Sequence, residues 1–334
     1  MPTIGTKRKK LPRKKARADR QPARGSQWIL RGAGELQILE APSFAALDWL
    51  VHGFSTRSGG RSRLESQQDG RKGAEKVLNL GFAEWDARPD VAANRESFFA
   101  AVGASEMRLV APRQIHSDIA HRVGRARNAG APEVPHNTPL DTAPQGDALF
   151  TDEPGVLLSI QTADCIPILL ADTKHRAVAA IHAGWRGTLA RIAAKTLGRM
   201  QMEIGTRPQD VIVVLGPGIG QCCYEVGPDV AKEFQSQFPS AREWFEGPFD
   251  SVASGDNDPN WLPWLTMRPP GHPLPAPKAR LDLIAANRAI LAAAGVPSKN
   301  IASSSYCTSC RTDLFFSFRR ERKTGRMMAV IGIR

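Results

Sequence analysis

Residues 163–188 read ADCIPILLADTKHRAVAAIHAGWRGT, and the fold turns on how this stretch is paired. Two apolar runs, Ile166 to Ala171 and Ala177 to Ile181, flank the polar turn Asp172-Thr173-Lys174-His175-Arg176, a strand–turn–strand pattern. A two-residue loop at Thr173-Lys174 pairs Asp172 with His175. Counted back along both strands, that register sets Cys165 directly opposite His182. Opposed residues have Cβ atoms about 5 Å apart on one face of the sheet. A slip of one residue would break the arrangement.

Outward from the hairpin, Val156 to Ile160 and Val211 to Leu215 read as further strands, the latter ending in Gly216-Pro217-Gly218-Ile219-Gly220. No Lys-Ser/Thr follows those glycines, so they form a tight turn and not a phosphate loop. Leu189, Ile192, Ala193, Leu197 and Met200 fall on one face of a helix expected from Thr188 to Met200. A second helix is expected from Leu281 to Ala294, stopped by Gly295 and Pro297, and a third from Arg88 to Val102. Phe315 to Phe318 and Met327 to Ile333 read as a closing hairpin, and the polar stretch Arg61 to Lys76 as a mobile loop. Irregular segments cover 128–146 and 239–278. Strands outnumber helices and hairpins recur, which implies an α+β fold of mixed sheets with flanking helices in a single domain, residues 26–334.

Composition excludes several classes. Residues 1–25 hold ten Lys or Arg against the single Asp19, a net +9, leaving only +3 of the chain's +12 for the remainder. Such a segment cannot bury a core and is expected to be a disordered basic tail. With the charge confined there, no specific nucleic-acid partner is expected. No apolar run approaches the roughly 20 residues that span a bilayer, and no apolar segment follows the first charges, so neither a membrane protein nor a secretory signal is expected. Five cysteines, an odd number, suit a reducing compartment and hence the cytosol.

Two ligands of one zinc need about the separation expected for Cys165 and His182, with bonds near 2.0–2.3 Å. His116, in Gln114-Ile115-His116-Ser117, is a third candidate that spacing alone does not join to them. The plainer readings are an ordinary histidine and a small buried hydrophobe, weakened by all three lying at strand edges among glycines and polar residues. Cys307-Thr308-Ser309-Cys310 is a lone C-x-x-C. It reads more readily as two buried thiols than, with Cys222 and Cys223, as a structural zinc site.

The segments Gln114-Ile115-His116-Ser117, Thr162-Ala163-Asp164-Cys165-Ile166-Pro167, Ile181-His182-Ala183-Gly184-Trp185-Arg186-Gly187-Thr188 and Gly216-Pro217-Gly218-Ile219 closely resemble the laccase-domain family. That family is also called YfiH-like, multicopper polyphenol oxidoreductase or peptidoglycan editing factor. His52-Gly53-Phe54-Ser55-Thr56-Arg57, Leu78-Asn79-Leu80-Gly81, Cys223-Tyr224-Glu225-Val226 and Phe316-Ser317-Phe318-Arg319-Arg320 with Thr324-Gly325-Arg326 extend the match over residues 45–334. The resemblance implies zinc on His116, Cys165 and His182, mixed sheets with flanking helices, and activity on purine nucleosides. The reactions implied are phosphorolysis of adenosine, inosine or guanosine and deamination of adenosine. The basic tail, the Pro/Trp-rich segment 239–278 and a doubled Cys222-Cys223 depart from the family pattern, and the first two bear on substrate access.

Three protein ligands leave a coordination position open, as in catalytic zinc sites. Arg186, near the start of the Thr188 helix, and Arg57, on its glycine loop, are candidates for phosphate; Arg186 could equally pair with Asp164. Asn79 and Gln161 would hydrogen-bond a base or ribose, or else satisfy loop backbone. Copper would also bind two His and one Cys, but seven histidines without a His-x-His pair are too few for a full multicopper oxidase, so copper oxidation of phenols stands as the weaker alternative. The H-x-E…P-C-x-x-C pattern of zinc deaminases is absent, so any deamination uses another fold. Two other classes remain: an amidohydrolase editing a peptidoglycan precursor, with Cys165 as nucleophile and His182 as base or through zinc, and an RNA-binding protein that depends on its tail.

Overall fold

Apolar side chains on alternate sides of the strands have different neighbours, and this sorts the chain into four layers. The computed structural model describes residues 28–33, 35–68, 71–124, 143–249 and 278–334. The basic segment 1–25 and most of 128–146 and 239–278 lie outside the described residues. One six-stranded sheet runs β1 (Ile29–Ala33), β2 (Leu36–Glu40), β3 (Leu50–Ser55), β17 (Met327–Ile333), β9 (Val156–Thr162), β6 (Arg108–Val110). The other runs β16 (Ile301–Ser303), β12 (Val211–Leu215), β10 (Ile166–Asp172), β11 (Ala177–Ala183), β8 (Ala148–Thr151), β7 (Ala120–Arg122). Both are mixed, with β6–β9, β7–β8 and β12–β16 parallel. A small sheet joins β13 (Glu225–Val226), β15 (Ala279–Leu281) and β14 (Phe245–Glu246).

The sheets pack face to face: Leu169, Ala171, Val178 and Ala180 of the second share a core with Leu158, Ile160, Ala329 and Ile331 of the first. The alternate residues Ile168, Leu170, Ala179 and Ile181 meet Leu197 and Met200 of α4 (Ile192–Ile204), Phe234 of α5 (Pro228–Gln237) and Leu291 of α6 (Leu283–Ala293). On the far side of the first sheet, Val51, Met328 and Val330 lie against Phe98 and Phe99 of α2 (Arg88–Ala101). Each such Leu, Ile or Phe contributes about 1.5–3 kcal/mol by leaving water. The short helices α1 (Pro42–Ala45), α3 (Trp185–Leu189) and α7 (Phe318–Glu321) complete the described set. The mixed sheets with flanking helices expected from the strand pattern are thus what forms.

Three expectations change. The helix expected from Thr188 is two helices, because Arg191 adopts φ 59° between α3 and α4. The second then runs on to Gly205, whose φ of 85° lets its N–H close on Gln201 O. The polar stretch 61–76 forms a ribbon of β4 (Ser62–Gln68) and β5 (Arg71–Val77), with Ser62 opposite Val77 and Gln68 opposite Arg71. Leu64 and Val77 are its buried anchors. No closing hairpin forms. Ser317 Oγ accepts the Arg320 N–H while Glu321 Oε2 accepts the Ser317 N–H, a reciprocal cap that winds 318–321 into a helical turn. β17 instead enters the middle of its sheet, antiparallel to β3 and β9.

Candidate active site

The hairpin β10–β11 has a wider turn than expected. Asp172 Oδ1 accepts the Lys174 and His175 N–H groups, and Oδ2 lies 2.8 Å from His175 Nδ1. Thr173 is tied to Asp210 O through its N–H and its hydroxyl, and Arg176 takes φ 49°. Four residues, Thr173 to Arg176, therefore span the turn, and Pro167, not Cys165, faces His182. The expected direct opposition of Cys165 and His182 is corrected by two residues. A two-residue shift preserves the side of the sheet, so both side chains still point to the face that packs on the first sheet. Their ligand atoms and that of His116 lie within 4.8 Å of one another.

His116 arrives on the segment that crosses from β6 in the first sheet to β7 in the second. Its φ of 59° is a left-handed conformation that a histidine needs support to hold. Asp147, fully buried just ahead of β8, supplies it. Oδ1 accepts the His116 N–H (3.0 Å) and Oδ2 the N–H groups of Ile115 (3.2 Å) and Ser117 (2.6 Å) and the Ser117 hydroxyl (2.7 Å). The same carboxylate lies 2.8 Å from His182 Nδ1, which fixes the proton there and leaves Nε2 for a ligand. Gln114 clasps the backbone of Gln161 in β9 with both ends of its amide. No residue of the sequence reading stood where Asp147 stands; its signal was an acid immediately before the wholly apolar run Ala148 to Phe150.

Charge follows geometry. Burial opposes ionisation of Asp147, but His182 and Ser117 outweigh it and hold the carboxyl at about 2. Burial likewise disfavours the Cys165 thiolate, yet the charge of His182 and a hydrogen bond from His116 bring the thiol down to about 6. His182 is disfavoured as a cation by burial and raised above the usual histidine range by Cys165 and Asp147. Cys165 Sγ lies 3.9 Å from His116 Nε2, and the rings of His116 and His182 meet edge to face with centroids 4.9 Å apart. Tetrahedral zinc with ordinary bond lengths would set that sulfur and nitrogen about 3.6 Å apart. The donor set fits a metal: two imidazoles and a thiol poised to ionise, with a carboxylate behind one imidazole. His116 is exposed and His182 buried, so the group opens to solvent on the His116 side.

The other expected site residues divide. Arg186, in α3, is exposed, with its guanidinium 4.6 Å from the centre of the Trp185 ring. It does not bond Asp164, whose oxygens accept the Thr308 hydroxyl and the Arg319 N–H. Burial and then the Cys165 charge push the Tyr224 hydroxyl up, while Arg319, whose guanidinium lies 5.0 Å from the centre of the Tyr224 ring, and Arg186 pull it down. Gln161 has a buried Nε2 with no partner among the described residues. Asn79 is committed to backbone and Asp86: it donates to Gly81 O and Asp86 Oδ2 and accepts from the Gly81 and Arg326 N–H groups. Arg57, 4% exposed, donates to Thr312 O, Glu321 and Glu75 and lies over Phe316, tying its glycine loop to the C-terminal segment. Sequence reasoning assigned no role to Arg319, Arg326 or Tyr224.

Residues 51–334 match the family described as multi-copper polyphenol oxidoreductase laccase. A purine nucleoside phosphorylase, YlmD, from Geobacillus stearothermophilus is 36% identical over 316 residues, 94% of this chain and 96% of that protein. Adenosine deaminase RL5, from an unknown prokaryotic organism, is 34% identical over 284 residues, 84% of this chain and 93% of its own length. The crystal structure of YlmD from Geobacillus stearothermophilus superposes with a TM-score of 0.70 at 33% identity, covering 93% of this chain and all of that one. With the His116–Cys165–His182 cluster set at the seam of two mixed sheets, these matches place the chain in the multi-copper polyphenol oxidoreductase laccase family.

Proposed function

We propose that this chain is a zinc-dependent purine nucleoside enzyme, which phosphorolyses adenosine, inosine and guanosine and deaminates adenosine. The observation that carries the reading is the convergence of His116, Cys165 and His182 with Asp147 behind His182; relatives named for both reactions supply the substrate class. When bound by these three ligands with a position open, zinc supplies a Lewis acid that polarises oxygen and lowers the pKa of water. Copper would fit the same donors. Among the described residues no further histidine-rich group exists to complete a multicopper oxidase.

In phosphorolysis a phosphate oxygen bonds to C1′ as the C1′–N9 bond breaks, and the purine leaves with a proton. In deamination water replaces the C6 amino group and ammonia departs. The exposed Arg186, helped by Arg319, would hold the phosphate dianion. The unpartnered Gln161 amide would gain its missing hydrogen bond from a ribose or base oxygen, which favours it over Asn79 and Arg57 as a nucleoside contact. Asp147 keeps His182 in one tautomer throughout.

A second reading has its own observation. Cys165, His182 and Asp147 also form a nucleophile–base–orienter chain, with the thiol lowered to about 6, which would suit amide hydrolysis of a peptidoglycan precursor. Metal analysis of purified wild type, His116→Ala and Cys165→Ala, with adenosine turnover measured with and without phosphate, separates the two. Loss of one zinc equivalent in each variant together with adenine and inosine formation supports the zinc enzyme. Undiminished turnover after that equivalent is chelated would remove the zinc reading and promote Cys165 as nucleophile.

A further inference from the structure

Away from the His116 cluster, four more cysteines converge. Cys222 and Cys223 follow the glycine-rich turn after β12, and Cys307 and Cys310 lie in the turn after β16. Their four Sγ atoms all lie within 4.8 Å of one another, with Cys310 Sγ 3.5 Å from Cys222 Sγ and 3.4 Å from Cys223 Sγ. Four sulfurs around one zinc with bonds of about 2.3 Å stand about 3.8 Å apart. The two distances to Cys310 Sγ fall a few tenths of an ångström short of that, and the others stay within 4.8 Å.

Backbone hydrogen bonds hold the two turns together. Gly218 bridges Cys307 in parallel, and the Thr308 N–H donates to Gly218 O at 3.0 Å. The Cys310 and Arg311 N–H groups both close on Cys307 O, and the Cys223 N–H closes on Gly220 O. The Gly220 N–H points at Cys307 Sγ, 3.2 Å away, a donor that favours a thiolate there. A side chain at Gly220 would meet Cys307 Cβ at 3.1 Å and Cys222 Sγ at 3.2 Å, so glycine gives the two turns room to approach this closely.

We propose that Cys222, Cys223, Cys307 and Cys310 form a second metal site, which takes zinc on four thiolates. Four protein ligands leave no open position, the pattern of a structural site, and the thiols release their protons to solvent as the metal binds. The site clips together two turns that both grip Asp164: the Ile219 N–H donates to Asp164 O at 2.7 Å and the Thr308 hydroxyl to Asp164 Oδ1 at 2.7 Å. Asp164, at φ 96°, sets the entry of Cys165 into the first cluster. The C-x-x-C expected as two buried thiols is therefore half of a four-cysteine group, with Cys222 and Cys310 exposed at its rim.

The test is metal content and cobalt substitution of the full chain, prepared under reducing conditions, as wild type, His116→Ala, Cys222→Ser and Cys307→Ser/Cys310→Ser. Expected are two zinc equivalents in wild type and one in His116→Ala, the remaining one giving the charge-transfer bands of a four-thiolate cobalt site after exchange. Cys307→Ser/Cys310→Ser should lose those bands and keep the other equivalent. Cys222→Ser, at an exposed position, should hold its second metal more weakly while remaining folded, and so stands should the double variant fail to fold. A reconstituted wild type without four-thiolate cobalt bands, or a His116→Ala protein whose four thiols react freely with a thiol reagent in excess zinc, would overturn the proposal. Two equivalents in Cys307→Ser/Cys310→Ser would do the same.

Discussion

Replacing Asp147 by Asn probes the hub of the site with almost no change of shape. Oδ1 serves the His116 N–H and His182 Nδ1, and Oδ2 serves the Ile115 N–H, the Ser117 N–H and the Ser117 hydroxyl. An amide has one oxygen and one NH2 group, so whichever way it turns at least two donors face another donor. With NH2 in the Oδ1 position, His182 relieves the conflict by carrying its proton on Nε2, where a metal must bind. Loss of such a partner typically weakens metal binding about 10–100-fold. With NH2 in the Oδ2 position, the loop that presents His116 loses its acceptor, at about 1–3 kcal/mol for each buried donor left unpaired. The carboxylate held at about 2 against an ordinary 3.8 also contributes about 2 kcal/mol at neutral pH that an amide cannot supply. Asp147→Asn should therefore lose at least about 3–5 kcal/mol in urea unfolding of the metal-free protein. Its zinc affinity, measured by competition with a chromophoric chelator, should fall about 10–100-fold. Affinity within twofold of wild type would refute the idea that Asp147 selects the His182 tautomer.

Gly184→Ala would place a methyl 2.9 Å from Cys165 Sγ and 3.2 Å from His116 Cδ2; it should cost the variant its site zinc and turnover, and retained zinc by metal analysis would show that the cluster can shift. His52, lowered to about 4 chiefly by burial, accepts the Ala41 N–H as a neutral ring. Because its folded pKa lies below the unfolded value, its contribution is intact above about pH 6.5 and lost as pH falls toward 4, by about 3 kcal/mol; urea midpoints across that window should fall more steeply in wild type than in His52→Gln. In metal-free protein the Cys165 contribution is lost as pH falls through about 6 and that of His182 as pH rises through about 9. Thiolate absorbance, taken as wild type minus Cys165→Ser, should accordingly rise near pH 6, and a midpoint at an ordinary thiol pKa would contradict the ion pair.

The strands were legible because apolar runs such as Val211–Leu215 are short and bounded by turn residues, and their positions agree with the sheets that form. What hydrophobic pattern does not encode is where a polar side chain redirects the backbone. Asp172 widened the hairpin turn, Ser317 and Glu321 made a helical turn from an apparent strand, and Arg191 broke a helix at a left-handed residue. The cluster was legible in part for a related reason. Cys165 and His182 share a hairpin, and a face survives a two-residue error in register. His116 reached the group only through resemblance, because its approach depends on Asp147, 31 residues away. Arg57 and Asn79 illustrate the opposite case: polar residues in glycine loops look like ligand contacts until their internal partners are seen.

The position of the site at a seam has an energetic consequence. Gln114 is clasped to Gln161 of the first sheet, His116 lies on the segment that crosses between sheets, His182 belongs to the second, and Cys165 and Asp147 lie immediately before its strands β10 and β8. A metal joining His116 to Cys165 and His182 therefore ties the two sheets at one end of their shared core. Ligand binding to the folded state alone stabilises it by about 2.7 kcal/mol at a free concentration one hundred times Kd. Zinc at that excess should raise the unfolding free energy of wild type by about this amount more than it raises that of His116→Ala. Both proteins keep the four-cysteine group, so the difference between them reports the seam alone. Equal stabilisation of the two would mean that His116 is not a ligand and that zinc acts on the fold from elsewhere.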